Sequence, residues 1–571
     1  MSGLESEIEL KDGVDEKVKD FIIRTGKKDN TLDDILRYYS GYGGCWQYGI
    51  IILMSIANPT TLAFGNFVTA THEHRCRGEA SLEAMLMAEK LTFDQINRVI
   101  TEPDSSGCSM FNVTAENWST ALNLTVEEKR ATLGTQSCQR GYIFKQQDYF
   151  YNDTIVKEFS LICSNSKMMP LDNFFYSAGI SIGFILGGFV ADYMGRRYSA
   201  IIFSLVAGAS AIGMYFIKLF IPYCLLRLSV AMAGSAIAST TVIMCIELST
   251  VESRSKLLAL SMFIPYFLSQ SHLSFLAWFI KDWRTLQLVH ISPMLLALLY
   301  FCILHESPRW LYQKGKFDEM KRVFHSAKRV NQRFFGSPRQ KFHFDLEVLF
   351  ENIQLDYQAE KEKTVESQTV LANFRSWVGK FLTRNSLMLT TMMSLNYFAL
   401  FGVGYYLKYI KESIYITNVI LSLSNCVCSG LLIVTEKIFS SRKFAIIVYL
   451  NIIWVLTVAF ALVTMLVEMK TNIPLISVIF IVSIMLQTTL CIQSYYVSEL
   501  YPASLRNQSL GYVLGIGRLS VVFIDYVVLL DKYSHGLPLL IHGIAVVVNM
   551  FMVKFFLADT SGDNLDAKNK R

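Results

Sequence analysis

Apolar runs long enough to cross a bilayer recur along the whole chain of 571 residues. A transmembrane helix needs about 20 predominantly apolar residues. Twelve runs meet this requirement, and the pattern predicts an all-α membrane protein of twelve transmembrane helices. In chain order, spans 1 to 12 are predicted at 47–69, 173–191, 199–217, 221–245, 257–280, 286–304, 386–407, 414–435, 443–467, 473–496, 508–530 and 537–558.

Two long polar segments separate the spans. The first, 70–172, follows span 1 and contains four Asn-X-Ser/Thr sequons, whereas the second, 305–385, is rich in Lys and Arg and has none. Glycosylation marks external loops, and basic residues are enriched in cytoplasmic ones. The predicted layout is a cytoplasmic segment 1–46, a six-span half 47–304 with the large external loop 70–172, a cytoplasmic linker 305–385, a second half 386–558 and a cytoplasmic tail 559–571.

The first polar segment carries candidate modification sites. Four sequons within it predict N-glycosylation at Asn112, Asn117, Asn123 and Asn152. It also contains an even set of cysteines, Cys76, Cys108, Cys138 and Cys163. In an oxidising compartment these predict two disulfides, and three pairings remain open. No cleavable signal peptide is predicted, because residues 1–40 are strongly charged and lack an apolar core.

Composition and missing motifs narrow the function classes. With 52% hydrophobic and 18% charged residues, the chain is too apolar for an ordinary soluble enzyme. Basic loops explain the net charge of +6, so no nucleic-acid partner is expected. The sequence has neither a GxxxxGK[ST] loop nor an HExxH or paired CxxC motif, and Cys426 and Cys428 lie within one span without a second pair. We therefore expect no catalysis, no cofactor and no metal site.

An internal repeat relates the two halves. Span 4 ends at Glu247-Leu, with Arg254 seven residues after the Glu, and span 10 ends at Glu499-Leu, with Arg506 at the same spacing. The two motifs occupy corresponding places, which indicates a duplicated six-helix unit. Parallel halves of this kind place a substrate path at their interface, with binding near the bilayer midplane.

Span 11 carries two charges, Arg518 and Asp525. Arg518 lies twelve residues after Arg506, as Tyr266 does after Arg254. At 1.5 Å per residue both positions lie about 18 Å above the motif arginines, near the middle of a hydrocarbon core about 30 Å thick. A cation and an aromatic at one depth predict a central cavity for an amphipathic solute. Asp525 shares a helical face with Arg518 and is predicted to be a counter-ion.

Several motifs resemble known transporter signatures. GGFVADYMGRR at the end of span 2 resembles the signature loop of the major facilitator superfamily, although Tyr193 replaces the usual Arg, and its counterpart TEKIFSSRK is more degenerate. HESPRWLYQKGK, THEHRCRG, ELYPASLRN, TIVKEFSLIC and DWRTLQ resemble solute carrier family 22, the organic cation, anion and carnitine transporters. Matches run from TLDDIL at 31–36 to LADTSG at 557–562 and so cover almost the whole chain.

The resemblance implies a multi-pass plasma-membrane protein of the major facilitator fold that moves small organic ions by alternating access. Its partners are the substrate and the lipid bilayer; a coupling ion or an exchange substrate is left open. Charges at the ends of the spans are expected to serve conformational gating and stability: Asp192, Arg196, Arg197, Glu247, Arg254, Glu499, Arg506 and Asp525.

The same resemblance suggests substrate-binding positions, namely Asn66, Tyr266, Tyr397, Phe398, Tyr405, Asn425 and Arg518. Cation carriers typically have an acid where this chain has Arg518, whereas carriers of anions or of zwitterionic carnitine have Arg there. Arg518 thus favours an organic anion or zwitterion. Two alternatives stay open: an organic cation carrier that uses Asp525, and a non-transporting membrane glycoprotein, which the altered signature loops would suit.

Overall fold

The fold is given by a computed structural model of the chain. It describes residues 44–56, 64–69, 73–103, 107–145, 153–249, 254–335, 350, 354, 357–358, 384–406, 414–439, 441–466, 473–501, 506–528, 530, 533–534 and 536–557. The expectations for 1–43, for Asn152 and for the tail 559–571 lie outside these residues.

Nine helices within the described residues are long and apolar enough to cross a membrane. They correspond to predicted spans 2–4 and 7–12. Their bounds are Met169–Met194, Arg196–Phe216, Phe220–Leu248, Arg384–Tyr406, Ile414–Ile438, Arg442–Leu466, Ile473–Leu500, Arg506–Arg518 with its continuation, and Leu537–Phe556. Span 11 continues from Arg518 through a 3-10 turn, Leu519–Phe523, into the helix Ile524–Val528.

The described parts of span 1 are the helices Cys45–Ile56 and Phe64–Val68. Spans 5 and 6 are helices with irregular stretches. Span 6 comprises Trp283–Ile291, a 3-10 stretch Ser292–Leu299 and Tyr300–Ile303. Span 5 runs from Arg254 to Tyr266, passes through a π-helical turn, Phe267–His272, and resumes as Leu273–Phe279. Pro265 lies just before that turn. A helical proline removes one backbone hydrogen bond and crowds the turn that precedes it.

The segment between spans 1 and 2, called the loop segment (residues 73–168), has a small fold of its own. Its strands β1 His74–Cys76, β2 Ser109–Phe111, β3 Thr135–Ser137 and β4 Tyr142–Phe144 form two antiparallel pairs, β1 with β4 and β2 with β3. Its helices are Ala80–Ala88, Phe93–Ile100, Trp118–Asn123, Val126–Leu133 and Ile155–Glu158, followed by the 3-10 turn Cys163–Met168.

The loop segment packs around a separate apolar core that includes Leu82, Leu86 and Phe111. In the structure Cys76 is joined to Cys138, and Cys108 to Cys163. This is one of the three pairings that the sequence left open. Peptide mapping of the unreduced protein is the direct test of it.

The chain divides into two compact units. The smaller comprises Met1–Gly49, Ile246–Arg254 and Glu306–Ser367, and the larger comprises the other residues. In the smaller unit the helices Pro308–Gln313 and Phe317–Phe335 are described. Arg309 Nε donates to the carbonyl oxygen of Glu247 at 3.3 Å, so a basic linker side chain caps the last turn of span 4.

Within the larger unit, small residues let the two six-span halves approach closely. A Cβ added to Gly511 or Gly515 of span 11 would lie 2.5 Å from the carbonyl oxygen of Phe184 or 2.7 Å from that of Ser181, both in span 2. Backbone-to-backbone contact of this kind is the usual role of small residues in membrane helices. Spans 2 and 11 therefore form part of the interface between the halves.

A buried ion pair stabilises the loop segment. Arg75 of β1 donates to both carboxylate oxygens of Glu83, at 2.6 and 2.8 Å, and both side chains are almost fully buried. Burial raises the pKa of Glu83, but the hydrogen bonds from Arg75 and from the Gly78 N–H outweigh it, so the pKa lies below its ordinary value. The carboxylate therefore adds stability above pH about 4.3, and this is lost as the pH falls through the lower folded-state pKa.

We predict that Glu83→Gln destabilises the loop segment by about 3–5 kcal/mol, because it leaves a buried Arg75 charge unpaired. Hydrogen–deuterium exchange of residues 74–144 in the full chain measures the effect. Wild-type protection should hold from neutral pH to about pH 5 and decline below the ordinary carboxyl pKa of about 4.3. The matched control is the apolar pair Arg75→Met with Glu83→Leu, which should restore much of the protection. Unchanged protection in Glu83→Gln would contradict the assignment.

Candidate functional site

Arg518 stands at the end of the regular part of span 11, where the 3-10 turn begins. Its side chain is only 4% exposed. The central carbon of its guanidinium lies 3.5 Å from the centroid of the Phe401 ring and 5.5 Å from that of Tyr397, both in span 7. These are cation–π contacts, which replace part of the hydration that burial removes.

Tyr266 belongs to the same site. The charge of Arg518 acts on the hydroxyl groups of both Tyr266 and Tyr397, and the two tyrosines also interact electrostatically. Gln487 of span 10 donates from Nε2 to the Tyr266 hydroxyl at 3.2 Å. The site thus draws one residue from span 5 of the first half and the others from spans 7, 10 and 11 of the second.

Two residues of this site, Phe401 and Gln487, were not predicted from the sequence. Phe401 lies one helical turn after Tyr397 and therefore on the same face, so i to i+4 spacing was the signal available for it. Gln487 is a buried amide within an otherwise apolar span. A polar side chain inside a membrane helix is a functional-site signal in itself.

Asn425 lies on a polar seam between the halves. Its Nδ2 donates to Gln270 Oε1 in the π-helical turn of span 5 at 3.3 Å. One turn away in span 8, Ser422 receives a hydrogen bond from Ser271 at 2.7 Å. The π-helical turn therefore presents successive polar side chains to span 8, in keeping with the frequent occurrence of such turns at functional sites.

The structure separates the predicted aromatic pair of span 7. Tyr397 lies beside Arg518, whereas the ring of Phe398 packs 4.7 Å from that of His542 in span 12. Adjacent positions of an α-helix are about 100° apart around its axis, so two neighbours rarely face one site. Among the described contacts, Phe398 belongs to packing between spans 7 and 12.

Several predicted residues have side chains outside the part of the chain that the structure describes. Their backbones lie in described helices: Asn66 in Phe64–Val68, Tyr405 in Arg384–Tyr406, Arg254 in Arg254–Tyr266, Glu499 in Ile473–Leu500, Arg506 in Arg506–Arg518 and Asp525 in Ile524–Val528. Their proposed roles in binding or gating stay predictions.

The signature loop after span 2 is built around a buried arginine. Arg196 is 1% exposed, pairs with Asp192 at 3.0 Å and donates to the Ala191 carbonyl oxygen at 3.0 Å. The neighbouring Arg197 lies 5.7 Å from the ring centroid of Tyr198. An Asp–Arg pair therefore remains at this loop although Tyr193 stands where Arg is usual, and Tyr193 itself is largely exposed.

A second buried ion pair, Asp172 with Arg227, ties span 2 to span 4. Arg227 Nε lies 2.6 Å from Asp172 Oδ1, and its guanidinium lies 4.9 Å from the Tyr176 ring centroid and 5.5 Å from that of Phe64. The pair has no signal in the sequence, because two charges in different spans share no local pattern. Both are almost completely buried, so removing either leaves an uncompensated charge.

Close to the loop segment, aromatic and basic side chains join the two halves. Lys281, at the end of span 5, donates to the Tyr415 hydroxyl oxygen of span 8 at 3.2 Å and lies over the rings of Tyr415 and Trp278. Phe67 of span 1 packs 5.5 Å from the Tyr415 ring. Glu158 of the loop segment accepts hydrogen bonds from Trp283 and Arg284 just beyond Lys281. We call Phe67, Trp278, Lys281 and Tyr415 the Tyr415 cluster.

Two six-span halves that meet around a buried arginine have the architecture of the major facilitator superfamily. The model of the family described as "Sugar (and other) transporter" matches residues 133–570. The chain belongs to this family. A solved structure of the proton:xylose symporter XylE is similar in fold, with a TM-score of 0.57 and 16% identity over 90% of this chain and 98% of that one.

Curated relatives are members of solute carrier family 22. Solute carrier family 22 member 6-A of Xenopus laevis is 25% identical, covering 87% of this chain and 85% of the relative. Organic cation/carnitine transporter 2 of Homo sapiens is 25% identical, covering 93% and 92%. Solute carrier family 22 member 22 of Mus musculus is 23% identical and covers 92% of each. The resemblance to solute carrier family 22 is confirmed, and the chain is a transporter, not an enzyme.

We predict that Tyr415→Ala loosens the Tyr415 cluster, because it removes two hydrogen bonds and three ring contacts, each worth about 0.5–1.5 kcal/mol. The measurement is the rate at which a membrane-impermeant thiol reagent, added on the side of the loop segment, labels Ser422→Cys. We expect labelling at least about five-fold faster. Tyr533→Ala, which changes a ring that is 83% exposed, is the control. Equal labelling rates in the two variants would show that Tyr415 does not restrict access of the reagent to position 422.

Proposed function

We propose that this transporter moves small organic anions, or zwitterions such as carnitine, across the plasma membrane by alternating access, with the loop segment outside and both termini in the cytosol. The buried Arg518 is the observation that supports this substrate class. A guanidinium is charged at any physiological pH and offers a planar fork of N–H donors that matches a carboxylate. An anionic group brought to it gains a charge-assisted interaction in a site with little water.

The surroundings of Arg518 suit an organic rather than an inorganic anion. Phe401, Tyr397 and Tyr266 supply ring surface around the cation, and Gln487 adds an amide. Aromatic rings give large apolar contact area at low conformational cost, while a few polar groups fix orientation. A flat or compact organic body bearing one carboxylate or sulfate fits this combination.

The distribution of these residues over the halves supports alternating access. Tyr266 comes from the first half, whereas Tyr397, Phe401, Gln487 and Arg518 come from the second. A site shared by two pseudo-symmetric halves remains in place while the halves rock around it. Polyspecific recognition follows from the small number of directional groups at the site.

The names of relatives give different organic substrates. One relative is described as an organic cation/carnitine transporter and another, from Rattus norvegicus, as a steroid transmembrane transporter. Carnitine carries a carboxylate as well as a quaternary ammonium, so a buried arginine suits it. An organic cation carrier is the alternative, in which Asp525 of span 11 would hold the substrate charge.

We predict that cells expressing the chain take up a labelled aromatic carboxylate or carnitine, and that Arg518→Ala lowers uptake efficiency at least 10-fold at equal surface expression. A hydrogen bond to a charged group is worth about 1.5–3 kcal/mol, which corresponds to about 10- to 100-fold. The matched control is Arg322→Ala, which removes an exposed linker arginine and should leave uptake unchanged. The measurement is initial uptake rate against substrate concentration, with a quaternary amine in the same panel.

Two other outcomes of the same uptake measurements would contradict the proposal. Robust uptake of the quaternary amine that survives Arg518→Ala and fails in Asp525→Asn would establish the cation carrier. A surface-expressed chain that transports no member of a broad panel would favour a binding or sensing role for this fold.

A further inference from the structure

Lys281 of the Tyr415 cluster is a half-buried cation that no described carboxylate neutralises. Within the described part of the chain, its ammonium donates one hydrogen bond, to the Tyr415 hydroxyl oxygen at 3.2 Å. It also lies 5.4 Å from the ring centroids of both Tyr415 and Trp278. An ammonium offers three N–H donors, so two of them remain available to a ligand.

The acidic side chains beside this stretch of chain have other partners. Asp282, the next residue, accepts hydrogen bonds from the Thr285 N–H at 2.9 Å and hydroxyl at 2.6 Å, and so caps the following helix. Glu158 of the loop segment accepts hydrogen bonds from the two residues after Asp282. Burial lowers the pKa of Lys281 below its ordinary value. The ammonium has therefore lost water without gaining an acidic partner among the described residues.

Lys281 lies at one end of the polar seam between spans 5 and 8. From Lys281 toward the membrane centre along span 5, Ser271 and Gln270 contact span 8, and Tyr266 belongs to the central site. At 1.5 Å per residue, the fifteen residues from Lys281 to Tyr266 extend about 20 Å. A solute that enters between the halves from the end with the loop segment therefore meets Lys281 before it meets Arg518.

We propose that Lys281, with the rings of Trp278 and Tyr415, forms an outer binding site at which an organic carboxylate docks on its way to Arg518. The carboxylate accepts charge-assisted hydrogen bonds from the two remaining N–H groups. Its place in transport rests on the proposed function, whereas the binding of a carboxylate to Lys281 does not.

The rings make the site suitable for an organic anion. Trp278 is 52% exposed, so part of its ring is open to the apolar body of a ligand. The negative faces of Trp278 and Tyr415 attract the ammonium and keep it at this place. The ring edges carry partial positive charge and do not repel a carboxylate. A small inorganic anion would use the ammonium alone.

The outer site acts mainly on the first encounter with the substrate. A cation at an entrance raises the local concentration of anions and with it their association rate. Salt screens this attraction, with a Debye length of about 8 Å at physiological ionic strength. Arg518 is deeper and more completely buried, so its contact with an anion is less sensitive to salt.

Purified full-length protein tests the site without any transport. The probe is benzoate, and the readout is the rate at which an amine-reactive ester acylates Lys281, measured by peptide mass spectrometry. We expect saturating benzoate to slow this acylation at least about five-fold. Lys218, an exposed lysine that follows span 3 at the same end of the bundle, is the matched control and should react at an unchanged rate. Benzyltrimethylammonium, a similar ring with the opposite charge, should not protect Lys281.

Two variants separate the outer site from the central one. Arg518→Ala should keep the protection of Lys281 by benzoate, because the central site takes no part in it. Trp278→Leu should weaken the protection, because it removes the ring on which the benzoate body packs. Equal effects of benzoate on Lys281 and Lys218, or equal protection by benzyltrimethylammonium, would overturn the outer site. Protection that disappears in Arg518→Ala would also overturn it, since the effect would then come from the central site.

Uptake kinetics test the role in transport. Lys281→Gln should raise the KM for a labelled aromatic carboxylate about 2- to 5-fold, as expected for one half-exposed charge, and leave the maximal rate unchanged. Lys281→Arg should restore the wild-type KM, and high ionic strength should remove the difference between wild type and Lys281→Gln. An unchanged KM in Lys281→Gln would overturn docking before Arg518. Protection by benzoate in a chain that transports no carboxylate would contradict the proposed function and leave the outer site standing.

Discussion

Moving a guanidinium from water into a bundle of membrane helices costs several kcal/mol, and protein groups must replace part of the lost hydration. At Arg518 these groups include the rings of Phe401 and Tyr397, whose contacts are worth about 2 kcal/mol each when desolvated. Ring contacts leave the positive charge in place. A substrate anion that reaches Arg518 would therefore meet a cation already stripped of most water, which is the physical basis of the proposed binding of carboxylates and sulfates.

The rest of the larger unit positions this cation. Gly511 and Gly515 allow span 11 to approach span 2, which sets the half-to-half contact on one side. On the other side, Pro265 precedes the π-helical turn that presents Gln270 and Ser271 to span 8. Both contacts depend on small or polar groups and not on interlocking apolar side chains. Halves embedded in a bilayer need such contacts, because lipid tails solvate apolar side chains as well as another helix does.

Much of the fold follows from hydropathy, but its interruptions do not. An apolar run predicts a span and carries no signal for a 3-10 or π-helical stretch, so the irregular stretches of spans 5 and 6 had no sequence signal. The repeat placed Arg518 and Tyr266 at one depth, and the structure brings them into one site. The resemblance grouped Phe398 with Tyr397, but a match between sequences does not show which way each ring points around the helix axis. Pairs between distant spans, such as Asp172 with Arg227, require the tertiary fold.

We propose that Arg518 binds the substrate anion against the rings of span 7. A cryo-electron microscopy map of the full chain with a bound aromatic carboxylate would show where the anion lies. We expect the carboxylate within hydrogen-bonding distance of the Arg518 guanidinium, about 2.7–2.9 Å, with the organic body against Phe401, Tyr397 and Tyr266. A carboxylate held elsewhere, with the Arg518 surroundings unchanged from the ligand-free protein, would contradict it.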